Sequence, residues 1–179
     1  MASLTPLIRI GLEKACKAFS VSAQGLGFAR TKKMFWTRRH SHTVDFVHFQ
    51  RSGSSYPAIG ATVEIQVHFG IRVLNDTFAA AALNGPFSDS DKLREGRYHL
   101  RFNAETGSTY ERCVDDLERF LREQGEPWFR KFANPESLLL HADSPLRAEE
   151  KVSLTEAVGG HAKPESIAVS LKLFGFVAG

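Results

Sequence analysis

The clearest pattern in the chain is an alternation of apolar and polar residues over positions 61–71. The odd positions are all apolar, and the even positions are mostly polar, with Glu64, Gln66 and His68 among them. A period of two is typical of a β-strand that buries one face. The pattern therefore predicts a central strand whose apolar side lies against the core.

Three further segments have the composition of strands. Residues 30–38 combine aromatic and apolar side chains with flanking charge, and residues 97–103 alternate again. The apolar residues of 43–51 do not alternate cleanly, which indicates burial on both faces or a bulge. The first three strands follow one another through short connections. This favours an antiparallel meander, because parallel pairing needs a long crossover.

Helical spacing of apolar residues predicts the remaining elements. Thr5-Pro6 opens an N-terminal helix that ends near Gly25, and a stripe of apolar residues over 110–121 predicts a second long helix. A short helix is also predicted over 75–84, where four residues favour helix and Gly85-Pro86 stops it. Three cap-then-proline pairs open the later helices: Asn134-Pro135, Ser144-Pro145 and Lys163-Pro164.

The last of these segments, 164–174, contains an alternating run that also suits a strand, but its proline start and Glu165 favour a helix. Strands and helices are thus segregated along the chain. This predicts an α+β fold, with an antiparallel sheet of about four strands and the N-terminal and C-terminal helices packed on one face. At 179 residues we expect one domain, sheet-rich over about 1–103 and helical over about 107–175.

Composition adds three expectations. Fourteen Phe predict an aromatic core, and a net charge of +3 permits an anionic partner without requiring one. Cys16 and Cys113 fall within predicted helices, which favours free buried thiols in a reducing cytoplasm. No apolar run approaches the roughly 18 residues of a membrane span, and the charges at Arg9, Glu13 and Lys14 disfavour a secretory signal. We therefore predict a cytoplasmic protein.

Two predicted strands place polar side chains on what would be a shared face of the sheet. These candidate ligand-binding residues are Glu64, Gln66, His68, Arg97, His99 and Arg101. Together they offer an acid, bases and cations, from which an acid–base pair or an anion site can be built. The simpler interpretation, which we favour, is a solvated sheet face with ion pairs across its strands.

Other chemistry is disfavoured by spacing. His40 and His42 could form a metal site with His48, but alternate histidines in a turn lack a fixed third ligand, so we predict no metal site and no cofactor. The basic and aromatic run 32–39 is typical of single-stranded nucleic-acid surfaces, but Phe35 and Trp36 are adjacent and must face opposite sides of a strand. A nucleic-acid partner is therefore disfavoured. No nucleophile motif is present, and we predict no catalytic residues.

Several short motifs resemble a bacterial family known as domain of unknown function 4304, over roughly residues 4–140. The matching segments are Gly25-Leu26-Gly27-Phe28, the strand with Phe35, Val47 to Ser52, Val67 to Ile71, Gly96-Arg97-Tyr98 and Pro127-Trp128-Phe129. The alanine-rich stretch 77–84 and Phe102 depart from the family pattern. The family has no assigned activity, so the resemblance supports the fold and implies no chemistry.

These observations favour a non-enzymatic binding or protein-interaction module over an enzyme, with an unidentified protein as the partner. An immunity-type protein that masks a toxin is one concrete form of this hypothesis, and it rests on size and fold style. The alternative is a small enzyme or an anion- or ligand-binding domain that uses the polar sheet face.

Overall fold

The computed structural model describes residues 4–51, 60–88 and 97–176. Its centre is one antiparallel sheet of five strands, whose order in space, β1-β2-β3-β4-β5, is their order along the chain. The strands are β1 Ala29–Lys32, β2 Phe35–Arg39, β3 Thr43–Arg51, β4 Thr62–Val73 and β5 Arg101–Asn103. The α+β class and the antiparallel meander are confirmed, with five strands in place of about four.

The additional strand comes from residues 30–38, which form a hairpin and not one strand. Lys33 and Met34 make its turn, and β1 pairs with β2 in an antiparallel register. The predicted strand 97–103 is shorter than expected, because only its last three residues pair regularly with β4. The backbone N–H of His99 donates instead to Asp116 Oδ2 at 2.7 Å, which turns this segment toward a helix.

Six α-helices and one π-helical turn complete the described part of the chain. They are α1 Thr5–Gln24, α2 Tyr110–Phe120, the π-helical turn Leu121–Gly125, α3 Glu126–Lys131, α4 Pro135–Leu140, α5 Ala148–Val158 and α6 Pro164–Leu173. The helix predicted over 164–174 is confirmed. No helix in the described residues is both long and apolar enough to cross a membrane.

The helix predicted over 75–84 is wrong. That segment runs as turns and extended chain, because the buried guanidinium of Arg72 binds its backbone carbonyls. Arg72 donates to the carbonyls of Asp76, Phe78 and Ala80 at 2.8–3.0 Å. A helix would use carbonyls of this kind for its own hydrogen bonds, so the tertiary contact overrides the preference of the local alanines.

Both faces of the sheet are partly covered, and β3 shows this most directly. Val47 and Phe49 lie in the main core with side chains from α1 to α5. Val44 and Phe46 point the other way and pack in a second cluster with Phe174, next to α6. Of the two alternatives predicted for this strand, burial on both faces or a bulge, the structure shows burial on both faces. The last helix adds a partial layer on the second face of the sheet, opposite the other helices.

Candidate functional site

The second face of the sheet carries a row of four rings beyond the end that α6 covers. The registers of the sheet place Phe35 next to His48, and His48 opposite His68, as neighbours on β2, β3 and β4. An isolated bridge between His68 and Phe87 adds the fourth ring. We use the name histidine strip for these four residues, Phe35, His48, His68 and Phe87, together with the neighbouring cross-strand pair Gln50 and Gln66.

The rings of the strip follow one another across the sheet, and the two outer pairs are stacked. The centroids of Phe35 and His48 lie 4.4 Å apart, those of His48 and His68 lie 6.2 Å apart, and those of His68 and Phe87 lie 5.7 Å apart. Phe87 closes the row and keeps 48% of its surface exposed. The strip is thus a continuous surface from β2 to the segment beyond β4.

Backbone pairing holds Phe87 in place although it lies outside the named strands. The Phe69 N–H donates to the Pro86 carbonyl at 3.0 Å, and the Ser88 N–H donates to the Val67 carbonyl at 2.9 Å. The Ser88 hydroxyl also accepts a hydrogen bond from the Val67 N–H at 2.8 Å. Residues 85–88 therefore pair with β4 as a short additional strand-like segment, beyond the part of β4 that pairs with β5.

Burial disfavours the charged form of both histidines of the strip. Burial lowers the pKa of His48, and the nearby His68 lowers it further. Burial also lowers the pKa of His68. His48 Nδ1 and His68 Nε2 are both buried and have no hydrogen-bond partner. Buried polar atoms in folded proteins nearly always have a hydrogen-bond partner, so two buried nitrogens without one, on directly opposed residues of β3 and β4, are unusual.

The other residues singled out in the sequence lie in different places. Glu64 is the direct cross-strand partner of Arg101, and it precedes Gln66 on β4 by two residues. Arg101 and His99 line a hollow of about 260 Å³ together with Thr62, Asn103, Ser108 and Thr109. Burial is the first cause that lowers the pKa of His99, and Arg112 and Arg101 lower it further.

Arg97 lies apart from both groups. It is exposed, and its guanidinium carbon is 5.7 Å from the centre of the Tyr98 ring. The six candidates thus fall into three locations: Gln66 and His68 in the strip, Glu64, His99 and Arg101 around the hollow or at its edge, and Arg97 near Tyr98.

A buried ionic network at the other end of the β2–β3 hairpin was not predicted from the sequence. Arg38 donates to Asp45 Oδ2 at 3.0 and 3.1 Å and to Glu126 Oε1 at 2.9 Å. Its guanidinium also lies 4.4 Å from the centre of the Phe28 ring. The network ties the hairpin to α3 and to the end of α1. The sequence signal was Asp45, a carboxylate amid the apolar residues of β3, which requires a buried cation as partner.

His40 extends this network to the surface. Its Nε2 lies 2.8 Å from Asp45 Oδ2, and the residue borders a hollow of about 450 Å³ together with Ser41 and His42. His48 lies elsewhere and pairs with His68. In the described residues, no group of three or more His, Cys, Asp or Glu is arranged to hold a metal ion.

A third hollow, of about 530 Å³, lies between α1 and the β1–β2 hairpin. It is lined by Arg9, Ile10, Glu13, Lys14, Lys17 and Lys33. Trp36, the nearby aromatic residue, is fully buried in the main core, and Phe35 faces the opposite side, as the sequence predicts. The basic surface therefore lacks Trp36 as a stacking platform.

The two cysteines are free and buried, as predicted. Burial raises the pKa of Cys16 to about 11 and that of Cys113 to about 12. Both remain protonated at physiological pH, so neither supplies the thiolate that a nucleophile needs.

Comparison with known proteins gave no relative. A scan against protein-family models found no match, and searches of curated proteins and of solved structures found none either. The resemblance to domain of unknown function 4304 therefore stays a prediction.

Proposed function

We propose that this protein is a non-enzymatic binding module that recognises a protein partner through the histidine strip. The observation that carries the proposal is the row of neighbouring rings on the part of the sheet beyond α6, which ends in a half-exposed Phe87. Aromatic rings set among uncharged polar groups are typical of the energetic centres of protein interfaces.

The surroundings of the strip support a protein as the ligand. Phe78 and Leu83 lie on the same segment as Phe87 and are 48% and 44% exposed. These three large side chains leave apolar surface exposed along the segment that carries Phe87, and exposed apolar surface is a common feature of interaction sites. Gln50 and Gln66 add amide groups that can bind a partner's backbone.

The arrangement of the polar candidates favours binding over catalysis. Glu64 and His68 face different neighbours, Arg101 and His48, across the strands of the sheet. A general base and a general acid must both reach the same reacting group. The two thiols are protonated and buried, and they suit a protein of a reducing cytoplasm. An immunity-type role, with a toxin as the partner, is one form of this proposal.

The test is capture of a partner from cells of the source organism with the full-length chain and three variants. Phe87→Ser and Gln50→Lys change the strip, whereas Val152→Ser changes an exposed apolar residue of α5 outside it. We expect a protein that binds the wild-type chain and Val152→Ser but is lost from both strip variants.

With the captured partner purified, its affinity for each variant gives the decisive measurement. A fall of at least about tenfold for Phe87→Ser and for Gln50→Lys supports the proposal, since an interface anchor contributes about 1–2 kcal/mol or more. Equal affinities for all four chains would overturn it. Circular dichroism of each variant shows whether the fold is intact.

A second function, anion binding, is favoured by the hollow at β5. Arg101 lies there beside His99, Thr62 and Asn103, which combine a cation with neutral hydrogen-bonding groups. Glu64, directly across from Arg101, competes with an anion for its guanidinium. In a titration with inorganic phosphate, the anion should therefore bind less tightly to Arg101→Gln and more tightly to Glu64→Gln than to the wild-type chain. No change in either variant would exclude anion binding at this hollow.

A further inference from the structure

We infer that the basic hollow between α1 and the β1–β2 hairpin binds a ligand with two or more phosphate groups, either a free polyphosphate compound or the head group of a phosphoinositide lipid. The hollow has a volume of about 530 Å³, which is within the usual size range of small-molecule sites. It lies beside α1, which packs in the main core on the first face of the sheet, whereas the histidine strip is on the second face. Binding of this ligand therefore does not depend on the proposed protein partner.

The first support is the excess of positive charge in the hollow. Only Glu13 among its six lining residues is acidic, and four are cations: Arg9, Lys14, Lys17 and Lys33. Four positive charges at one place exceed the net charge of +3 that the whole chain carries. A singly charged ligand would leave most of this charge unbalanced, whereas a ligand with two or three phosphate groups carries a comparable negative charge.

The one carboxylate of the hollow is already paired with a cation outside the lining. Arg30 donates to Glu13 Oε1 at 2.8 Å and to Glu13 Oε2 at 2.9 Å, so both oxygens are occupied. This contact is the main cause that lowers the pKa of Glu13, and the charges of Lys17 and Lys33 lower it further. Lys17 of α1 and Lys33 of the hairpin turn thus lie near the same carboxylate, and one ligand can contact both.

The four cations are exposed and available to a ligand. In the part of the chain that the structure describes, none of them forms an ion pair. Lys14 is also held in position, because its Nζ lies 4.0 Å from the centre of the Tyr110 ring. An ammonium over an aromatic face keeps N–H groups that can donate to phosphate oxygens. A ligand therefore does not have to break an existing ion pair to bind these cations.

The residue types of the lining indicate the class of ligand. Three of the four cations are lysines, which act as point charges, so they select for high charge and not for one planar shape. Ile10 is 67% exposed and, with the lysine stems, adds apolar surface beside the charges. Single-stranded nucleic acid would need an aromatic platform for its bases, and Trp36 is buried in the main core. A compact ligand rich in phosphate fits the lining best.

The experiment measures binding of two probes to the full-length chain at low ionic strength. Sodium triphosphate is titrated by calorimetry, and phosphatidylcholine vesicles with and without phosphatidylinositol bisphosphate are used in a sedimentation assay. We expect triphosphate to bind if the ligand is a free compound, and only the bisphosphate vesicles to bind if it is a lipid. Titrations repeated with Arg101→Gln remove any contribution from the hollow at β5.

Two double variants with the same change of charge test the location. Lys17→Gln/Lys33→Gln should weaken binding of the active probe at least about tenfold, because two of the four cations are lost. Lys151→Gln/Lys172→Gln, which removes two lysines from α5 and α6, should bind like wild type. Higher ionic strength should weaken binding to the wild-type chain, because salt screens exposed charges.

A measurement on the unmodified chain locates the ligand directly. The side-chain resonances of Lys17 and Lys33 should shift when the active probe is added. Shifts confined to other lysines, equal affinities for the two double variants, or no binding of either probe would overturn the inference. Tighter binding of a single-stranded RNA oligomer than of triphosphate through the same two lysines would also overturn it, since the ligand would then be a nucleic acid.

Discussion

Arg72 shows how one residue determines the path of a whole segment. It is fully buried, forms an ion pair with Asp76 at 2.9 Å and donates to three backbone carbonyls. It also donates to Ser170 Oγ in α6 at 3.1 Å. Burial lowers the pKa of Arg72, but an arginine remains charged at any physiological pH. The guanidinium therefore holds the loop after β4 and the last helix to the same strand.

Replacing Arg72 should destabilise the protein strongly. In Arg72→Met, the buried carboxylate of Asp76 and three carbonyls lose their donor, and removing one partner of a buried ion pair costs about 3–5 kcal/mol. The free energy of unfolding from urea titration measures the loss. Arg39→Met, at an exposed arginine at the end of β2, should change it by less than about 0.5 kcal/mol. A loss below about 1 kcal/mol for Arg72→Met would mean that the loop does not depend on this residue.

The histidines of the strip predict how stability changes with pH. Their pKa values are lowered on folding, so the unfolded chain binds more protons than the native chain below about pH 6.5. The contribution of the two histidines to the free energy of unfolding is therefore fully present at a pH above their pKa in the unfolded chain. It is lost as the pH falls from that pKa through their lower pKa in the folded chain. His48→Gln/His68→Gln should lose less stability than wild type between about pH 7.5 and 5.5, by up to about 1 kcal/mol. Urea titrations with a chelator present measure this, and equal losses in both chains would contradict it.

At the scale of elements, the short segment 85–88 has the largest consequence for the site. It has no strand pattern in the sequence, yet it pairs with β4 and brings Phe87 to His68. Gly85 permits this close approach. A Cβ at this position would lie 2.8 Å from the Phe69 carbonyl oxygen and 2.7 Å from the Trp128 ring.

Gly85→Ala should therefore displace the segment from β4. We expect a loss of about 1–3 kcal/mol, as for other overpacked sites, and faster hydrogen exchange at the Phe69 and Ser88 amides. Gly25→Ala is the matched control, because its φ is −61° and its nearest new contact is at 3.4 Å. That variant should keep wild-type exchange at both amides. Unchanged exchange in Gly85→Ala would show that the segment tolerates a Cβ.

The elements also show which features a sequence can predict. The alternation at 61–71 predicted β4 because burial of one face follows directly from a period of two. The helix at 75–84 was predicted from local preference, which Arg72 overrides through contacts distant in sequence. The histidine strip combines His48 and His68, twenty residues apart, with Phe87 from an irregular segment. Its existence depends on strand register, and composition and spacing do not determine register.

At the scale of the whole molecule, the main question is whether the layer on the second face unfolds with the rest. Phe174 follows α6, is fully buried, and lies 5.1 Å from Phe46 and 5.8 Å from Phe35 by ring centroids. Phe35 in turn stacks on His48. The packing of the last helix is therefore continuous with the strip, and β3 is the strand that both layers share.

If the sheet and its two layers form one cooperative unit, removing the Phe174 ring should destabilise all of it at once. Phe174→Ala should lower the free energy of unfolding by about 3–5 kcal/mol, with one transition seen by both circular dichroism and Trp fluorescence. Val169→Ala, at an exposed position of the same helix, should change it by no more than about 0.5 kcal/mol. Two separate unfolding transitions in Phe174→Ala would contradict this. They would mean that α6 unfolds on its own while contacts with the main core keep β3 folded. Because Arg72 also binds Ser170, we expect the single transition.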